Sequence, residues 1–173
     1  MSSAPQPTSS RLGLFMFAAG FIVVFGLLIA YFSGMLEKQY NPNQQPVSFA
    51  NASGIQVQLM QNKMGHYVTN GEINGQQVTF LLDTGATSVA LNTELGERLG
   101  LIPGRRGYAQ TANGTVSVRQ TNISELKIGD ITLNNVDATL ISGMESDQIL
   151  LGMSALKQLE WTQRGDMLTL KTL

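Results

Sequence analysis

Apolar and polar residues are unevenly distributed along this chain, and the pattern divides it in two. From Leu12 to Phe32 there are 21 residues without a charge, and the uncharged run continues to Leu36. A helix of that length crosses the hydrocarbon core of a bilayer. A soluble helix of similar length would show a polar face, and this stretch shows none. It is too long for the apolar region of a cleaved signal peptide, and Tyr31-Phe32-Ser33-Gly34 is a poor cleavage site. The pattern predicts a short cytoplasmic tail over 1–11, a transmembrane signal anchor over 12–34 and a linker with a possible edge strand over 35–64. A folded domain is predicted over 65–173. Arg11, the one charge before the span, puts the N-terminus in the cytoplasm, so the domain lies on the periplasmic side of an inner membrane.

After the apolar run the period changes to two. Residues 38–54 are rich in Asn, Gln and Pro and read as linker, while 55–60 alternate and suit an edge strand. Two strand-like runs, 66–73 and 76–83, flank Asn74-Gly75, a pair that tolerates the positive φ angles of a tight hairpin. Val89-Ala90-Leu91 is a short strand. Asn92 or Thr93 caps a helix that Gly100 ends. A second hairpin is predicted over 107–119 with Asn113-Gly114 at its tip. Runs at 121–128 and 131–141 meet at Gly129-Asp130. Ile149-Leu150-Leu151 is a short buried strand, 153–159 a short helix, and 167–173 a final strand. Many short strands, few helices and frequent turns indicate an all-β, barrel-like domain.

Composition narrows the chemistry. The net charge is −1 and only 13% of residues are charged, which gives no electrostatic footprint for nucleic acid. No cysteine is present, so disulfides, thiol catalysis and Cys-ligated zinc are excluded. The single histidine, His66, makes a His-based metal site improbable and reads as a surface or hairpin residue. Trp161 reads as a packing residue. Any catalysis falls to carboxylates, hydroxyls or lysines.

One carboxylate stands out. Phe80-Leu81-Leu82 ends abruptly in Asp83-Thr84-Gly85-Ala86. An acid at the end of a buried strand is costly unless something stabilises or uses it. As a bare tripeptide, Asp-Thr-Gly is an ordinary turn. With its apolar strand before it, Ala86 after it and Leu150-Leu151-Gly152 downstream, it resembles the retropepsin-like aspartic proteases. The run from Gly65 to Leu91 is similar to the bacterial membrane-anchored group.

That resemblance implies an acid-protease barrel with one lobe per chain and a short helix, preceded by one transmembrane helix. It implies that Asp83 is the catalytic acid/base, and that Thr84 hydrogen-bonds across a dimer axis. Gly85 allows close approach there, and Ala86 leaves room. Leu150, Leu151 and Gly152 match a structural apolar-apolar-Gly element. Tyr108, Ala109, Gln110, Thr111, Ala112, Asn113 and Gly114 match the flap that closes over a polypeptide substrate. No metal or other cofactor is implied. Carboxylate-driven peptide hydrolysis needs two acids close together, one ionised and one protonated. Asp130, Asp137, Asp147 and Asp166 lie outside any second Asp-Thr-Gly, so a homodimer with Asp83 from each subunit is expected. The alternative is a non-catalytic, membrane-tethered β-domain that binds extended peptides or docks in an envelope complex.

Overall fold

The computed structural model describes residues 9–52, 54–111, 114–144 and 146–173. The predicted 1–8 portion of the tail and the hairpin tip at Ala112 and Asn113 lie outside the described residues. Helix α1 runs from Ser9 to Tyr40, and its stretch Leu12–Tyr40 is long and apolar enough to cross a membrane. A compact β-domain spans Lys38–Leu173.

Among the described residues, eleven strands and two short helices build that domain in chain order: β1 (Val47–Asn51), β2 (Gly54–Met60), β3 (Val68–Ile73), β4 (Gln76–Leu82), β5 (Val89–Asn92), α2 (Thr93–Arg98), β6 (Arg106–Thr111), β7 (Gly114–Ile128), β8 (Ile131–Ile141), β9 (Ile149–Leu151), α3 (Met153–Leu156), β10 (Leu159–Arg164) and β11 (Met167–Thr172). They form two sheets. One has the order β3-β4-β9-β5-β8-β7-β6, and β7 also pairs with β3 through Glu72–Lys127 and Ile73–Leu126. That extra pairing closes the sheet into a barrel. The second sheet has the order β1-β2-β11-β10.

The core follows from strand alternation. Phe80, Leu91, Ile123, Leu126, Ile128, Ile131, Leu140, Ile149 and Leu151 are wholly buried inside the barrel. Val57, Leu59 and Leu170 of the second sheet belong to the same apolar cluster. Asn74 (φ 50°) and Gly75 (φ 77°) make the β3–β4 turn with two positive φ angles, the backbone a tight hairpin requires. Asn92 caps α2 by accepting the Leu95 amide at 2.6 Å. The all-β architecture is as expected from the pattern.

Four sequence expectations are corrected. Residues 41–51 are folded rather than linker. Asn43 is 6% exposed, and its amide side chain bonds the backbone of two strands: Nδ2 donates to the Met60 and Val68 carbonyls at 2.9 and 2.7 Å, and Oδ1 accepts from the Met60 amide at 2.6 Å. Asn-rich sequence favours loops only until its amides find buried partners. Second, β2 is an inner strand, because β1 covers one of its edges and β11 the other. Third, 107–128 is not interrupted near 120. β7 is one 15-residue strand whose start pairs with β6 and whose end pairs with β3, with β8 alongside most of its length. Fourth, the helix expected over 153–159 stops at Leu156, and 159–164 is a strand. All of β10 except Leu159 is exposed or partly exposed, so no alternation marks it.

Candidate active site

Asp83 follows β4 directly, and the position is set by an inserted strand. β4 and β5 are consecutive, but β9 lies between them, parallel to β4 (Leu81–Leu150, Leu82–Leu151) and antiparallel to β5. The loop 83–88 therefore crosses the end of β9. Leu82 N donates to the Tyr67 carbonyl at 3.0 Å and Asp83 N to the Leu151 carbonyl at 3.2 Å. Ala86 N closes a turn on the Asp83 carbonyl at 3.2 Å.

The segment after β9 holds the loop from beneath. Met153 N donates to the Ala86 carbonyl at 2.8 Å and Ser154 N to the Thr87 carbonyl at 3.0 Å. A Cβ on Gly152 would lie 2.3 Å from the Ser88 carbonyl oxygen and 2.6 Å from that of Ala86. Only glycine fits there, for reasons of space and not of φ. Ser154, which the sequence reading did not single out, links three segments. Its Oγ accepts the Val89 amide at 2.9 Å and donates to the Asp137 carbonyl at 2.6 Å. Ser88 and Thr139 share a hydroxyl hydrogen bond of 2.7 Å across to β8. No local motif announces these residues, since small hydroxyls in loops are common.

The Asp83 carboxylate is lightly held. Oδ1 accepts the Gly85 amide at 2.9 Å, and among the described residues it takes no other hydrogen bond and no ion pair. Gly85 does not have a positive φ. A Cβ there would sit 3.1 Å from Asp83 Oδ1, so glycine keeps the carboxylate face open. Thr84 and Gly85 are exposed, and Ala86 is half-buried.

Two cavities meet at Asp83. A groove of about 530 Å³ has Ala86, Ser88, Ala90, Thr139, Ile141 and Leu150 along its floor and Ala109 and Gln110 of β6 above it. Of the expected flap residues, Ala109 and Gln110 line this groove. Tyr108, 81% exposed, does not line it. Gly114 (φ 105°) opens β7 opposite Thr111. Leu150 reaches the groove, whereas Leu151 is wholly buried. The second cavity, about 220 Å³, is walled by Asp83, Thr84, Tyr67, Leu156, Trp161 and Leu170 among others. Trp161 is thus not a core packing residue: it is 44% exposed beside the Asp83 loop. Burial and the nearby Asp166 raise the Tyr67 phenol above its ordinary pKa. Its Oη is buried without a hydrogen-bond partner among the described residues. His66 is exposed and lines neither cavity.

Chemically, this is one half-buried carboxylate at the junction of an extended groove and an apolar notch. Comparison with known proteins agrees. The family model of the gag-polyprotein aspartyl proteases matches residues 69–158, a span holding both the Asp83 loop and Leu150-Leu151-Gly152. An uncharacterised protein encoded in the cobV 5′ region of Sinorhizobium sp is 33% identical over 171 residues, spanning 92% of this chain and 73% of that protein. The uncharacterised protein RP867 of Rickettsia prowazekii is 31% identical over 97 residues, spanning 54% of this chain and 41% of that one. Among solved structures, a retropepsin-like aspartic protease from Rickettsia conorii superposes with a TM-score of 0.54 at 25% identity, over 66% of this chain and 97% of that chain. With its Asp-Thr-Gly loop crossing the end of an inserted strand, this chain belongs to the retropepsin-like aspartic protease family.

Proposed function

We propose that the protein is a membrane-anchored aspartic endopeptidase whose dyad is Asp83 together with Asp83 of the partner subunit. The observation that carries the reading is the position of Asp83, at the junction of the groove under β6 and the notch beside Trp161. A groove on one side leaves room for an extended polypeptide. The open notch on the other leaves room for a second copy of the loop.

In the dimer the two carboxylates hold one proton between them, since two like charges in contact do not both ionise readily. The ionised carboxylate takes a proton from a bound water, whose oxygen attacks the scissile carbonyl carbon. The protonated carboxyl gives its proton to the carbonyl oxygen. Collapse of the resulting gem-diol breaks the C–N bond as the nitrogen is protonated. The Gly85 amide orients the Asp83 carboxylate by its hydrogen bond to Oδ1. β6 has one unpaired edge, so an extended substrate adds backbone hydrogen bonds there while Ala109 and Gln110 close over it. Thr84, exposed next to Asp83, bonds across the axis. Arg11 ahead of the apolar helix supports a cytoplasmic N-terminus and a periplasmic β-domain. Anchoring both copies in one bilayer raises their effective concentration.

The test is cleavage of an unfolded protein mixture by the full chain in detergent, wild type beside Asp83→Asn. Loss of cleavage only in the variant is expected. Equal cleavage by both would refute the assignment. Peptide affinity without turnover in the wild type would instead favour a binding domain.

A further inference from the structure

The notch beside Asp83 has an unpaired strand as its outer wall, and that strand carries its own instructions for pairing. Two edges of the second sheet are open, β1 and β10. They lie three strand steps apart, roughly 14 Å. Only β10 contributes side chains to the cavity holding Asp83 and Thr84, through Trp161 and Gln163. A twofold axis that brings two Asp83 loops together therefore runs beside β10.

The hairpin fixes what the β10 edge offers. Gly165 (φ 58°) and Asp166 form the two-residue β10–β11 turn, closed by the Arg164–Met167 pair. The closing pair of such a turn is a hydrogen-bonded one, and the pattern alternates along the ladder. Arg164, Thr162 and Glu160 thus spend their backbone groups on β11. Trp161 and Gln163 present theirs to the open edge. No proline or bulge blocks that edge.

Resting on the homodimeric reading above, we propose that two copies join through β10, antiparallel, with Thr162 on the twofold axis. Trp161 then pairs with Gln163 of the partner subunit, and each residue uses the backbone groups it presents outward. Glu160 falls opposite Arg164 of the partner subunit, in the closely spaced class of antiparallel pair. Arg164 has no ion-pair partner among the described residues, while Glu160 contacts Lys171 at 3.2 Å and takes a second cation on its free side. Centring the axis on Gln163 would set Glu160 against Asp166, and centring it on Trp161 would leave Arg164 without a carboxylate. Only the Thr162 register is electrostatically complementary. It also covers the half-exposed Trp161 ring.

Because the chain has no cysteine, the register can be read by single-cysteine cross-linking of the full chain in detergent. Residues facing across the axis have Cα atoms about 4.5 Å apart, within disulfide range, whereas residues two positions off the axis are roughly 14 Å from their own copies. Thr162→Cys is expected to form a disulfide dimer under mild oxidation, roughly ten-fold more than Glu160→Cys or Arg164→Cys. In a second arm, Arg164→Glu and Glu160→Arg each set like charges opposite one another and weaken self-association roughly ten-fold. Mixing the two variants restores association, as a heterodimer with both ion pairs intact.

Strongest linking at Trp161→Cys, Gln163→Cys or a β1 position overturns the seam, as does a monomeric chain that links nowhere. A cleaving, Asp83-dependent dimer that does not link at 162 overturns the seam alone. A dimer linked at 162 without cleavage supports the seam and refutes the endopeptidase reading.

Discussion

Two polar sites in the same domain are built on opposite plans. Asn41, Asn43, Asn62 and Asn70 bring four amides together where the chain enters the β-domain. Their side chains tie Tyr40, Gln44, Met60 and Val68 through bonds of 2.6–3.1 Å. Asn43 and Asn62 each make three side-chain bonds to backbone, and both are buried. The Asp83 carboxylate takes one hydrogen bond among the described residues, from the Gly85 amide, and stands at the mouth of two cavities. Buried polar groups with every partner supplied specify a structure. A charged group held on one side and open on the other is available to a reactant or a second subunit. Function and stability should therefore separate when the two sites are mutated.

The largest separation is expected at Asp83. Asp83→Asn keeps an oxygen for the Gly85 amide, so thermal stability should stay within about 0.5 kcal/mol of wild type while turnover falls by roughly 1,000-fold or more. Parallel melting and cleavage assays measure both. Asn43→Ala should do the reverse. Leaving the Met60 and Val68 carbonyls and the Met60 amide unpaired costs about 2–3 kcal/mol in denaturant unfolding, while cleavage per folded molecule is retained.

Gly152→Ala crosses the divide. Its Cβ would strike the Ser88 and Ala86 carbonyl oxygens, so the change should cost roughly 1–3 kcal/mol and also move the loop bearing Asp83. A variant that loses stability but keeps wild-type kcat would show that the loop is not set from beneath.

The smallest effect is expected at Asp147, an exposed carboxylate with partners on two sides. Arg98 Nη2 donates to it at 2.9 Å and Asn92 Nδ2 at 3.0 Å. The Arg98 hydrogen bond, then that of Asn92, then the Arg98 charge hold its pKa below the ordinary 3.8. A lowered folded-state pKa means the stabilisation is complete above the ordinary carboxylate value and disappears as pH falls through the folded one. Melting temperatures of wild type and Asp147→Asn should differ slightly near neutrality and converge as acid protonates the folded-state carboxylate. A difference that persists once Asp147 is protonated would assign the effect to something other than the charge.

The sequence by itself determined the features whose cause is local. An uncharged apolar run of 21 residues is a membrane-length helix wherever it occurs. Asn74-Gly75 makes its tight turn from its own φ preferences. Alternation marks β8 and β11, and Asp-Thr-Gly after an apolar strand, with its flanks, marks the loop that carries Asp83.

Only the tertiary structure decided what depends on a distant partner. An asparagine reads as loop-forming until it is known that the Met60 and Val68 backbones surround it. Gly152 is required because the carbonyls of Ala86 and Ser88 lie above it, far back in the sequence. β10 has no alternation because both of its faces are exposed beyond Leu159, so nothing in Glu160–Arg164 signals a strand until β11 is laid against it. The same exposure leaves Trp161 at the rim of the cavity at Asp83. Local preferences act over a few residues, whereas burial and hydrogen-bond satisfaction are set by whichever strand the closed barrel brings alongside.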